Sequence, residues 1–221
     1  MMILDFLFPN RCLGCSRIIG SEALVCNLCL PSIGFIHGVE GVDDGLEKRC
    51  RMAFPVRKAY GLMKFEPGNL SQKMIHQLKY GGREKVGRVL AEWVLERWAD
   101  ELKEYDLLVS IPLHPRKEKK RGYNQLHLFA ETLAEHLGVQ HDGEVLRRNF
   151  YKKAQAQKDR KEREGLLSQH PFSLNRPLGS PKKILLIDDV YTTGHTMASA
   201  AWELLKSGEH SIGVLVMAVD E

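Results

Sequence analysis

Two carboxylates stand side by side in ILLIDDVYTTGHT, residues 184–196. Asp188 and Asp189 follow four aliphatic residues and precede Val190, Tyr191 and a small-residue turn of Thr192, Thr193, Gly194, His195 and Thr196. A turn of this composition lets successive backbone N–H groups face one point. A helix N-terminus behind it adds partial positive charge, so the turn suits a dianionic phosphate, with threonine hydroxyls as further donors. The carboxylates supply acceptors, which a phosphate seat lacks, and suit the two vicinal hydroxyls of a ribose. Ribose 5-phosphate with free 2- and 3-hydroxyls is the ligand these residue types predict. The plain alternative is a strand and a helix cap with no ligand, against which stands the self-repulsion of an unpartnered acidic pair at the end of a buried strand.

A second group able to do chemistry is RCLGCSRIIGSEALVCNLC, where Cys12 and Cys15 are separated by ten residues from Cys26 and Cys29. Two such pairs, each on a tight knuckle, set four thiolates tetrahedrally around one Zn²⁺, and the metal replaces the core that so short a segment lacks. The alternatives are incidental thiols or a redox role for one pair. Cys50, alone in EKRCRMA, reads as an ordinary packed or surface thiol. A third group is the basic loop HPRKEKKRGYNQ at 114–125.

The elements that must position these groups follow from periodicity. Residues 31–57 carry Gly, Asp and Pro and read as loop and linker. KAYGLMKF reads as a short strand, and Leu70–Tyr80 and Lys85–Leu102 as helices separated by YGGRE, with Trp93 and Trp98 as core or rim residues. From Asp106 the pattern becomes strand, loop, helix. YDLLVSIPL is a buried strand, 125–137 an amphipathic helix, and 144–147 a shorter strand followed by a polar segment to about Pro181. KKILLID is a strand, 193–206 a helix and SIGVLVMAV the last strand. Doubly apolar strands alternating with helices predict an α/β fold, a parallel sheet covered on both sides, with ligands outside the carboxyl ends of the strands. Both the acidic turn and the basic loop fall at those ends.

Composition narrows the class. Lys and Arg number 32 against 28 Asp and Glu, a net charge of +4 that suits phosphates or nucleic acid without deciding between them. No apolar run is long enough to span a membrane, and MMILDFLFPNRC is too short in its apolar part, with no basic flank, for a signal peptide. A cytoplasmic location is therefore expected, where grouped cysteines bind metal more often than they form disulfides. LLIDD also resembles the magnesium-binding strand of P-loop enzymes, but no G-x-x-x-x-G-K-[ST] occurs. It resembles the opening of a response-regulator receiver too, yet only 32 residues follow Asp189.

ILLIDDVYTTGHT resembles the phosphoribosyl pyrophosphate (PRPP) signature of type I phosphoribosyltransferases over its whole length. The resemblance implies that Asp188 and Asp189, the candidate catalytic residues, face the ribose hydroxyls, while Thr192 to Thr196 wrap the 5-phosphate, with Val190 counted beside them among the PRPP-binding residues. PLHPRKEKKRGYNQ is similar to a segment of the ComF family, which joins a four-cysteine zinc module to a phosphoribosyltransferase fold. Lys117 stands where that family usually has Arg, with Arg116 beside it. The resemblance covers almost the whole chain and implies a zinc module and linker over 1–50 and a phosphoribosyltransferase-fold domain over 51–221, with a hood at about 149–181. It assigns Pro112, Leu113, His114, Arg116, Lys117 and Arg121 to pyrophosphate, and Lys79, Tyr123, Asn124, Gln125, Gln155 and Arg163 to the substrate or hood. In the hood Leu166 replaces the usual Asn, and no Thr precedes Gln155 at the usual distance.

The function implied is PRPP binding, with Mg²⁺ held mainly by pyrophosphate and ribose oxygens, pentosyl transfer to a nitrogen nucleophile, and a role in natural competence, the uptake and handling of DNA. The other reading is a non-catalytic single-stranded-DNA or nucleotide-binding protein on the same fold. Partners on either reading are PRPP or a related phosphoribosyl ligand, single-stranded DNA, and competence helicase or recombination proteins.

Overall fold

The structure is a computed structural model that describes residues 9–36, 45–80, 85–113, 119, 124–149 and 171–220. Five strands form one parallel sheet in the order β1-β7-β6-β2-β3: β1 (Val56–Lys64), β2 (Leu107–Ser110), β3 (Gln140–His141), β6 (Lys183–Tyr191) and β7 (Ser211–Val219). A separate antiparallel pair joins β4 (Leu146–Arg148) to β5 (Phe172–Leu174). The helices are α1 (Gly45–Ala53), α2 (Leu70–Tyr80), α3 (Lys85–Leu102), α4 (Leu126–Leu137) and α5 (His195–Leu205).

The central strands read IGVLVMAV and ILLI because neither face meets water. Every residue from Ile212 to Val219 is buried, as are Ile184 to Ile187. Each buried Val, Leu, Ile or Met side chain there contributes about 1.5–3 kcal/mol. Helix α3 lies on α4, and α5 lies against β5, β6 and β7. The predicted bounds of α2 and α3 are those observed. Trp93 and Trp98 are half-buried, edge-on to Phe35 at 5.3 Å and tilted against Tyr60 at 5.5 Å.

Four readings need correction. Within 31–57, expected to be loop and linker, Gly45–Ala53 is helical, and Leu46 and Cys50, four residues apart, bury one face against β1. The segment expected to be polar up to Pro181 contains β5, whose Phe172 is buried and whose partner β4 lies at Leu146–Arg148 rather than 144–147. Strand β6 runs past the acidic pair to Tyr191, paired at Val190↔Ala218 and Tyr191↔Val219. The following helix begins at His195 rather than Thr193, because Gly194 takes a left-handed conformation, φ 79° and ψ −7°, which closes the strand and opens the helix.

The cysteine module docks through Leu24, Val25 and Ile33, which join the main hydrophobic cluster. Residues 34–36 then run antiparallel along β1: Ile36 N–H donates to Leu62 at 3.0 Å, Lys64 N–H donates to Gly34 at 2.7 Å, and Phe35 bridges to Met63. No helix among the described residues is long and apolar enough to cross a membrane.

Candidate functional site

Near the carboxyl end of β6 stand the two aspartates, Asp188 half-buried and Asp189 buried. Asp188 lines a small concavity, about 240 Å³ counting its open mouth, with Thr192, Thr193, Gly194, His195, Thr196 and Met197 around it. The first helical bond of α5 runs from Ala198 N–H to the Gly194 carbonyl at 2.8 Å. The N–H groups of the turn before it have no partner within the helix and are available to an anion. Thr193 Oγ1 lies 2.8 Å from His195 Nδ1, which gathers two polar side chains at the rim.

Asp189 is buried and already engaged. Lys79, in the last turn of α2, places Nζ 2.9 Å from its Oδ1, and the Gln125 side-chain amide donates to its Oδ2 at 2.7 Å. A carboxylate has about four acceptor positions, so these two bonds leave room for a hydroxyl. Three residues assigned by resemblance, Lys79, Gln125 and Asp189, are thus brought together from different elements. Asn124 serves the chain itself, its Oδ1 accepting the Leu126 N–H at 3.1 Å as α4 begins. Pro112 and Leu113 follow β2 as half-buried loop residues. His114, Arg116, Lys117, Arg121 and Tyr123, and Gln155 and Arg163, lie outside the described residues.

Asp188 is pushed up to about 7, first by burial and then by the charge of Asp189, against the pull of the Asp189 N–H, Lys79 and Arg148. Arg148 was not singled out in the sequence. It comes from β4, passes over the Phe172 ring with its guanidinium carbon 5.3 Å from the centroid, and bears electrostatically on Asp188. Its one signal was a place among eight basic residues in 147–164. Because the folded value of Asp188 lies above its unfolded value, the charged form opposes folding. The stability it contributes is full below the unfolded value and is lost as pH rises through about 7. Asp188→Asn, which keeps the acceptor for the Asp189 N–H, is expected to raise the melting temperature of the ligand-free protein by several degrees at about pH 8 and by much less at about pH 4, read by thermal unfolding across pH.

The four cysteines meet the spacing expectation. Their sulfurs all lie within 4.8 Å of one another, with Cys15 and Cys26 at 3.6 Å. The edge of a tetrahedron with Zn–S bonds near 2.3 Å is about 3.8 Å. Gly14 is needed in the first knuckle, since a Cβ there would stand 2.7 Å from Cys29 Sγ. Burial pushes the Cys12 thiol up, but N–H groups of Cys15, Cys26 and Gly14 outweigh it and bring it down to about 6. Cys29, by contrast, is pushed up to about 12 by burial and the other three cysteines. So crowded a set carries four negative charges together only around a cation. That is the test a metal site must pass, and Cys12, Cys15, Cys26 and Cys29 are the residues that would hold the ion.

No family model matches the chain. The DNA utilization protein YhgH of Salmonella typhi is 28% identical over 209 residues, 92% of this chain and 87% of that protein. Other proteins of that name match over 63% of their length. The competence protein ComFC of Bacillus subtilis (strain 168) is 40% identical over 103 residues, 47% of this chain and 40% of its own length. Among solved structures, a purine phosphoribosyltransferase from Pyrococcus horikoshii Ot3 aligns with a TM-score of 0.38 and 19% identity, over 59% of this chain and 74% of that one. The chain is thus a homologue of proteins named YhgH and ComFC, and it carries a helix-flanked parallel sheet and a four-cysteine cluster.

Proposed function

We propose that this chain binds PRPP with Mg²⁺, as a phosphoribosyltransferase-like protein of the ComF type that acts in the cytoplasm in the uptake and handling of DNA. One observation carries the ligand: Asp188 and the turn 192–197 line a single concavity. The names of the relatives, a DNA utilization protein and a competence protein, carry the DNA role. In this reading the amides of the turn and the threonine hydroxyls hold the 5-phosphate, while Asp188 and Asp189 accept the ribose hydroxyls. Lys79 and Arg148, on the side of the acidic pair, offset the negative charge gathered there. Mg²⁺, when bound with the ligand, shields the pyrophosphate. The C1–O bond to pyrophosphate breaks as a nitrogen nucleophile forms its bond to C1, and the fixed donors stabilise the charge that separates.

Calorimetric titration of Mg²⁺ and PRPP into the wild type and into Asp188→Asn/Asp189→Asn tests the site. Asn keeps one acceptor oxygen but turns the other into a donor, so a loss of about 30-fold or more in affinity is expected, in line with the strength of hydrogen bonds to charged acceptors. Equal affinities would sink the assignment. A pyrophosphate-release screen over nucleobases and amines then asks for turnover.

A further inference from the structure

We propose that Arg49 is a positioning residue for the phosphate turn, so that helix α1, which precedes the first strand of the sheet, belongs to the site. The inference rests on reading the turn as the seat of a 5-phosphate. Arg49 crosses from α1 to the end of β6. One guanidinium nitrogen donates to the Thr192 carbonyl and the other to the Asp220 carbonyl at 2.7 Å, with the guanidinium carbon 4.8 Å from the centroid of the Tyr191 ring. Asp220 in turn donates its N–H to the Tyr191 carbonyl at 2.8 Å. The guanidinium therefore grips both chain segments that border the turn.

The consequence follows from peptide geometry. In a planar trans unit the C=O of Thr192 and the N–H of Thr193 point in opposite directions. Drawing the carbonyl toward Arg49 turns the amide away from it, toward the side lined by Thr193, Gly194 and His195. A second line runs through Tyr191. Its hydroxyl meets the side chain of Cys50, the neighbour of Arg49 on α1, and lies 2.3 Å from where a Cβ on Gly194 would stand. Helix α1 thus braces the peptide before the turn and the ring beneath it. Both acceptors of Arg49 are uncharged, so its positive charge also favours an anion in the turn.

The test compares ligand-free wild type, Arg49→Gln and Arg49→Lys by residue-resolved amide hydrogen exchange, then titrates each with ribose 5-phosphate and with inorganic pyrophosphate plus Mg²⁺. Exchange is read at Ala198 and Asp220, whose N–H groups bond to the Gly194 and Tyr191 carbonyls, and at Val214 and Val216 in mid-sheet as controls. In Arg49→Gln, exchange at Ala198 and Asp220 is expected to quicken about tenfold with the controls unchanged. Affinity for ribose 5-phosphate should fall about tenfold and that for pyrophosphate by less than about twofold. Arg49→Lys, which can hold one carbonyl, should restore part of both. Unchanged exchange at Ala198 and Asp220, or equal acceleration at the controls, overturns the proposal, as does an equal loss for both ligands. If the wild type ignores ribose 5-phosphate, the reading of the turn fails, while the exchange arm still decides whether Arg49 braces it.

Discussion

Cys12→Ser is expected to leave the purified protein with less than about half an equivalent of zinc and to open the segment 9–36 to protease while the sheet stays folded. The reason is the ratio of metal to core. In that segment Cys12, Leu24, Val25 and Ile33 are the buried hydrophobic residues among those described, too few to order it alone. A structural zinc site supplies an apparent 10–16 kcal/mol, roughly, in small metal-folded modules. Cys12 is the ligand to remove because it is buried and its Sγ accepts the N–H groups of Gly14 at 3.4 Å and Cys26 at 3.3 Å, so its loss unties both knuckles. Exposed Cys15 should be the milder substitution. Elemental analysis reads the metal, and tryptic cleavage at Arg11 and Arg17 reads the unfolding. A full equivalent of zinc in Cys12→Ser would refute the four-thiolate site.

Gly194→Val should be the most damaging single change in the turn after β6. The position has φ 79°, which costs a branched residue about 1–2 kcal/mol, and its Cβ would stand 2.3 Å from the Tyr191 hydroxyl and 2.7 Å from the ring carbon that bears it. Tyr191 is 3% exposed, so the ring has little room to retreat. Overpacking adds about 1–3 kcal/mol. The sum, about 2–5 kcal/mol, corresponds to a melting temperature lower by about 4–20 °C for a chain of this size. Because the turn and the helix start both depend on that residue, ribose 5-phosphate binding should disappear together with the stability. Calorimetry and thermal unfolding measure the two, and a variant with wild-type values in both would show that the turn tolerates a side chain.

The sheet was legible because its strands carry a redundant signal. ILLI and IGVLVMAV are apolar at every position, and helix bounds are sharp where Leu, Val and Trp recur every three or four residues, as in α3. Helix α1 was hidden because GLEKRCRMA presents two buried residues, Leu46 and Cys50, to a short period that charged residues interrupt. The acidic turn was legible as a local pattern, yet what surrounds it was not. Arg49 reaches Thr192 across 143 positions, and Gln125 reaches Asp189 across 64. Spacing along the chain carries no information about contacts at such separations. Arg148 was concealed differently, as one charge in a run where nothing distinguishes the residue that turns inward.

The antiparallel run of residues 34–36 beside β1 has a consequence for the protein without its metal. β1 is the outermost strand on its side of the sheet, and Ala59, Tyr60, Leu62 and Met63 are all buried. An outer strand of that composition, once uncovered, offers unpaired backbone groups and apolar side chains to any second copy. Residues 34–36 close that edge at Leu62–Lys64, where a second copy could otherwise add a strand. Losing zinc would first be felt as concentration-dependent aggregation, read by light scattering at rising protein concentration.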